Sequence, residues 1–346
     1  PFILGGTAVA VAAMVVIPAA DNAVNLPLFI GSLLVALVAM STYRSPAVAL
    51  MPDVTPKPLR SQANGIINLM GALGVIYSLA LISVLVPKEG KPNYLPIFAC
   101  VGALMVVAVV ILFLTVKEKK LAAAMRAHEG EEEVEEAQPQ GGSMEPAVRR
   151  SFGLILASIF FWFFAYNAVT TAFSKYAQSY LGIAGGGFAN SLMLATVAAV
   201  IAFIPAGLIA ARIGRKRTIM AGITVLGLSF FAASFFRAFS PLLNVLLVLI
   251  GFAWAAINVN SYPMVVEMAK GADIGKYTGY YYTASMSAQI LTPILSGYFM
   301  ERFGYGTLFP YATVFMVLAF LTMSQVRHGD SKAVSPRSKL ELLDVD

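Results

Sequence analysis

Ten apolar stretches run through this chain of 346 residues, at 2–20, 26–49, 62–86, 94–116, 151–173, 188–211, 218–236, 242–266, 277–300 and 308–326. Each is long enough to cross a bilayer, since about 20 residues rising about 1.5 Å each cover the hydrocarbon core. Hydrocarbon offers the backbone no hydrogen-bond partner, so stretches of this kind fold as helices. A single formal charge lies inside them, Arg44. A guanidinium at mid-membrane costs roughly 3 kcal/mol or more and therefore faces protein or water. The expectation is an all-α, polytopic membrane protein, with Arg44 as the first residue to examine for function.

Charged residues are 12% of the chain, against about 25% in soluble domains. The net charge of +6 sits in loops beside the apolar stretches, which points away from nucleic acid as a partner. Cys100 stands alone, without a disulfide or metal-site companion. His128 and His328 both fall outside the apolar stretches, which excludes a histidine proton relay within them. No cofactor is expected. Residues 1–20 have no basic segment before them and do not read as a signal peptide.

The basic residues fix an expected topology. With the start of the first helix cytoplasmic, the segments at 50–61, 117–150, 212–217, 267–276 and 327–346 hold 18 of the 24 Lys and Arg. The opposite loops hold 5, and Arg44 is the remaining one. That bias places both chain ends in the cytoplasm of a multi-pass plasma-membrane protein. The stretch at 117–150 opens basic and turns acidic through Glu129, Glu131, Glu132, Glu133, Glu135 and Glu136. It reads as a solvated linker; a calcium or regulatory site there would need ligand geometry that nothing in it imposes. The expected organisation is an N-terminal bundle at 1–116, the linker, a C-terminal bundle at 151–326 and a tail at 327–346.

The second half repeats the first. A shift of 217 lays Thr218–Gly222 on Pro1–Gly5 and Pro263 on Pro46; a shift of 214 then lays Gly279 on Gly65 and Pro310 on Pro96. Such a parallel repeat relates two bundles by an axis along the membrane normal. Six stretches follow the linker and four precede it, so the repeat predicts about two further helices upstream of Pro1.

The loop Gly207-Leu-Ile-Ala-Ala211-Arg212-Ile-Gly214-Arg215-Lys216-Arg217 resembles the G-x-x-x-D-[RK]-x-G-[RK]-[RK] loop of the major facilitator superfamily. Ala211 departs from it where the family often has Asp, so this copy lacks a carboxylate to latch the helix ends. Tyr43-Arg44, Ala49-Leu50, Asp53 and Arg60-Ser-Gln-Ala63-Asn64 resemble the helix 4 to helix 5 region of sucrose transporters and of the glycoside–pentoside–hexuronide:cation symporters. The resemblance implies a six-plus-six helix bundle pair, of which ten helices are present, and a sugar–proton or sugar–cation symporter. It does not fix the sugar.

Arg44 has two readings, snorkelling to the cytoplasmic surface from about 7.5 Å inside its helix, or facing a cavity to bind sugar hydroxyls or a carboxylate. Asp53 and Glu267 end corresponding helices; paired with Arg60 or Lys270 they would form gating ion pairs. Simple flanking charge suits Glu267, whereas Asp53 favours gating. Gly207, Arg212, Gly214, Arg215 and Lys216 form the cytoplasmic turn. Trp162 and Tyr166 share a helix face, with Asn167 beside them. A ring under the apolar face of a pyranose and amides on its hydroxyls are what a sugar site needs. Asn258, Ser261 and Tyr262 follow an i, i+3, i+4 pattern that serves a wet cavity or helix–helix hydrogen bonds. Tyr281, Ser285 and Gln289 form a ladder of the same kind, as do Asn64 and Asn68. Gly71 and Gly74 suggest close helix packing.

Together these point to a secondary transporter working by alternating access, with the lipid bilayer, a sugar (a di- or oligosaccharide or a glycoside) and a proton or other cation as its partners. No Asp or Glu lies inside the ten stretches, so a coupling carboxylate is expected upstream of Pro1. A drug or metabolite exporter is the alternative, with a greasier cavity. A non-transporting membrane sensor would need more than the 117–150 linker. An enzyme such as a membrane hydrolase is excluded, because no nucleophile–base or carboxylate pair lies at membrane depth.

Overall fold

The computed structural model describes residues 2–54, 60–87, 90–117, 146–266, 268 and 274–329. Ten helices account for nearly all of them. In chain order they are α1 (Phe2–Asn22), α2 (Leu26–Val54), α3 (Arg60–Leu85), α4 (Leu95–Thr115), α5 (Pro146–Ser179), α6 (Gly187–Ile213), α7 (Arg215–Ala233), α8 (Pro241–Val266), α9 (Ile274–Phe303) and α10 (Leu308–Ser324). Each covers one apolar stretch. Eight are long and apolar enough to cross a membrane. In α3 the described apolar part is Leu69–Leu85. The other exception, α9, spans 30 residues, about 45 Å at 1.5 Å per residue. Its length suffices, but Tyr277, Thr278, Tyr280–Thr283, Ser285, Ser287, Gln289 and Thr292 make it too polar to be sheathed in lipid.

The chain divides into two compact units, one holding α1–α4 and the other α5–α10. In the first, α1 packs on α2 and α4, and α3 touches α2 and α4. In the second, α7 packs on α8 and α10, and α9 touches α8 and α10. The neighbour pattern is the same in both, helix for helix. It follows the offsets read from the sequence: Ile274, where α9 begins, falls on Arg60, where α3 begins, at the shift of 214.

The first unit has a small core of Ala13, Ile17 and Ala36, packed by Phe29 and Phe98. Gly6 lets the Tyr43 side chain close on α1: a Cβ there would stand 2.8 Å from that of Tyr43. One end is tied by Asn22 donating to Asn93 (3.1 Å) and by Lys91 donating to the Asp21 carbonyl (2.9 Å). A Cβ added at Gly71 or Gly74 would have nothing within 4 Å among the described residues.

The second unit is built around α5. Ile155, Ile159, Trp162, Ala165, Val169, Phe173 and Tyr176 recur every three or four residues and are buried in one continuous core. On α6, Ala195, Ala198, Ala199, Ala202, Ala206 and Ala210 form a seam of small residues. Without a hydrophobic drive inside lipid, such seams let backbones approach and gain dispersion contact. The approach to α8 is tightest at Gly251, where a Cβ would run into the Ala195 carbonyl and meet the Ala198 Cβ at 3.0 Å. Gly214 ends α6 and begins α7 at φ 95°, a left-handed conformation that turns the chain with no intervening loop. Beyond α10, Arg327 and His328 meet Ser151 at the foot of α5: the Arg327 N–H donates to Ser151 Oγ (3.3 Å), and Oγ lies 2.8 Å from His328 Nδ1. The first residues of the expected tail thus belong to the bundle. The linker at 118–145 and the tail at 330–346 lie outside the described residues.

The α6–α8 seam makes a direct prediction. Gly251→Val forces the helices apart at a cost of about 1–3 kcal/mol and lowers the thermal unfolding midpoint in detergent by about 5 °C or more. Gly279→Ala, with nothing within 4 Å of its added carbon, leaves the midpoint unchanged or raises it, because alanine is the better helix former.

Candidate functional site

Where α5 meets α8, three aromatic rings converge. The Tyr166 ring lies on the indole of Trp254 with centroids 3.7 Å apart and planes 3° from parallel. Phe163, one turn below on α5, meets the same indole edge to face at 5.2 Å and 87°. Trp254 is twelve residues from the end of α8 at Val266. That is about 18 Å, near the middle of a hydrocarbon layer of about 30 Å. Phe163 also approaches Tyr281 of α9 (6.5 Å, 83°), and Tyr281 meets Tyr262 of α8 (5.4 Å, 73°). The rings thus form a continuous path along α5, α8 and α9.

Hydroxyls tie the α8–α9 end of that path. The Tyr281 hydroxyl is 3.2 Å from Ser261 Oγ, and the Tyr262 hydroxyl is 3.0 Å from Thr278 Oγ1. Tyr262 is therefore held in a helix–helix network. Asn167 donates to the Phe163 carbonyl of its own helix at 2.7 Å, and Asn260 donates to Ala256 at 2.8 Å. Asn258 and Gln289 differ. Among the described residues no protein group hydrogen-bonds to either side-chain amide, and Gln289 is exposed and Asn258 half-buried. At membrane depth an amide without a protein partner needs water or a ligand.

Trp162 belongs elsewhere. It is 0% exposed in the core of the second unit, and its indole N–H has no partner. Trp162 and Tyr166 do share a face of α5, but that face turns inward at 162 and reaches α8 at 166. The indole at the α5–α8 contact is that of Trp254. The signal was present: Trp254, Asn258 and Tyr262 stand at i, i+4 and i+8 on α8.

Arg44 is exposed, and α2 runs on to Val54. It is thus ten residues from the helix end, about 15 Å and not 7.5 Å, because the helix continues past the apolar stretch. The apolar stretch of α2 continues past Arg44 to Ala49, about 7.5 Å of helix.

Asp53 is in the last turn of α2, and Arg60 is the first residue of α3. Their side chains, and that of Asn68, lie outside the described ones, as does Glu267 altogether. In the Gly214 turn, Lys216 donates to the carbonyls of Ser324 (2.9 Å) and Val326. This satisfies carbonyls that the end of α10 leaves open and sets a cation at the negative end of its dipole. Arg212 is exposed in the last turn of α6, and Arg215 is half-buried. A Cβ added at Gly207 would stand 3.9 Å from the Val259 side chain of α8, ordinary contact.

No curated protein matches the chain in sequence. Among solved structures it is similar to a Major Facilitator Superfamily transporter, FucP, in the outward conformation, at TM-score 0.54 and 13% identity, covering 94% of this chain and 83% of that one. It is likewise similar to a single-substitution variant of the E. coli fucose:proton symporter FucP, at TM-score 0.52, 14% identity and the same coverage. These likenesses are of fold. The sequence profile of the Major Facilitator Superfamily matches residues 1–204 and 155–343, most of the chain. The chain belongs to the Major Facilitator Superfamily and is a membrane transporter.

Proposed function

We propose that this transporter moves a sugar, a di- or oligosaccharide or a glycoside, by alternating access and couples the movement to a proton or another cation. The carrying observation is the mid-membrane platform of Trp254 and Tyr166, together with the amides of Asn258 and Gln289 that have no protein partner among the described residues. An aromatic face suits the C–H side of a pyranose, and amides serve its hydroxyls. The apolar stretches of α5–α10 hold no formal charge, which favours a neutral substrate, since a buried charge without a partner is costly. Asn167 keeps one N–H and its oxygen for the same purpose. The likeness of 43–64 to sucrose transporters and to the glycoside–pentoside–hexuronide:cation group supports the same class, and the basic loops support cytoplasmic chain ends.

Asp53 and Arg60 support a gating role through helix electrostatics. An acid in the last turn of α2 and a base at the start of α3 each oppose the helix dipole, by about 0.3–1 kcal/mol. Charges in those places serve something other than the stability of their own helices. A pair that forms in one state of the cycle and breaks in the other would account for them.

Uptake of radiolabelled sucrose and L-fucose into proteoliposomes, with and without collapse of the proton gradient, tests the main reading. Trp254→Ala and Gln289→Ala each lower uptake about tenfold, equivalent to about 1.4 kcal/mol of lost binding. Trp162→Phe leaves it unchanged. Full uptake in both site variants would remove the site, and efflux of apolar compounds without sugar uptake would favour an exporter. Asp53→Asn and Arg60→Gln each lower the transport rate, while the double exchange Asp53→Arg with Arg60→Asp recovers part of it. Recovery no better than either single change would remove the gating pair.

A further inference from the structure

The Tyr166–Trp254 stack has a property that a preformed sugar platform would not need. A saturated sugar ring binds an indole by laying its C–H face parallel to the π-face at van der Waals distance. Tyr166 already covers Trp254 at 3.7 Å and 3° from parallel, and Phe163 meets the indole at 87°. The platform is occupied by the protein's own ring.

Tyr166 is held by packing against the core and on Trp254, with no hydrogen bond from its phenol among the described residues. The Tyr262 and Tyr281 hydroxyls are held by Thr278 and Ser261. Among the described residues, the phenol of Tyr166 has no hydrogen-bond partner. Its ring packs on Trp254, and it is half-buried rather than buried. Rotation about its side-chain bonds would uncover the indole without breaking a hydrogen bond.

We propose that Tyr166 is a built-in stand-in for the substrate: it holds the face of Trp254 in the empty protein and gives way when a neutral ring with an apolar face stacks there. The inference rests on the sugar reading above. Binding is then an exchange of one stack for another. Its net affinity is reduced by the Tyr166 contact, and the site discriminates against ligands that have no ring face to replace it.

The test is binding of radiolabelled sucrose and L-fucose to the purified protein in detergent, comparing parent, Tyr166→Leu and Tyr166→Phe. Removing the competing ring tightens binding by about three- to tenfold, the range an aromatic pair carries. Tyr166→Phe keeps the ring and stays within about twofold of the parent. A second readout reports on the indole itself. In a Trp162→Phe background Trp254 is the single tryptophan, and Trp162 donates no hydrogen bond that Phe would lose. There the sugar-free emission of Tyr166→Leu lies to the red of the parent, because its indole is uncovered, and added sugar returns it to the blue. Sugar binding that is unchanged or weaker in Tyr166→Leu overturns the proposal alone and leaves the sugar reading standing. Identical sugar-free emission with and without Tyr166 does the same. Binding of neither sugar by any of these proteins overturns the sugar reading and this inference with it.

Discussion

Hydrocarbon cannot hydrogen-bond, and most polar side chains in this chain answer that constraint locally. Ser158, Asn167, Thr196, Thr224, Asn260, Thr283, Thr313 and Thr322 each donate to the carbonyl four residues earlier in their own helix. Such a bond hides the polar group without committing the helix to a neighbour. A few groups also reach across helices: Ser158 to Thr322, Ser191 to Asn244 and Thr292 to the Phe164 carbonyl. These fix α5 against α10, α6 against α8 and α5 against α9. What remains after both solutions is informative. Among the described residues, the side-chain amides of Asn258 and Gln289 are satisfied neither way.

Aromatic residues divide along similar lines. Trp162, Phe164, Phe173 and Tyr176 are fully or almost fully buried and hold the second unit together. Trp254, Tyr166 and Phe163 are half-buried and sit where α5 and α8 approach. The two tryptophans are chemically identical and differently placed. The unpartnered indole N–H of Trp162 costs about 1–3 kcal/mol. The ring is one of the largest fully buried side chains of the packed core.

Hydrophobic length alone made the helices legible. All ten stretches became helices, with boundaries within about five residues except at Ser179 of α5, because the backbone has no other way to be satisfied in lipid. The repeat was legible from Pro46, Pro96, Gly65 and their second-half counterparts, and the helix pairings within each unit follow it. Facing was not legible. Periodicity put Trp162 and Tyr166 on one side of α5, but which neighbour that side meets at each level depends on helix crossing. Crossing is set by small-residue seams such as that of α6, which read in sequence as undistinguished alanine. The end of α2 was hidden for a related reason: the helix outlasts its apolar stretch by several residues, and composition does not mark where a helix ends.

The terminal charges carry two messages at once. Counted together, Lys and Arg in the loops report orientation. Taken singly, they meet local demands. Lys216 closes the open carbonyls at the end of α10, and Arg212 stands in the last turn of α6, both at the helix end whose dipole welcomes a cation. A helix end that followed stability alone would look like these two. The end of α2 has Asp53 in its last turn instead, and α3 opens on Arg60. The same dipole that explains Lys216 and Arg212 therefore does not explain Asp53 and Arg60.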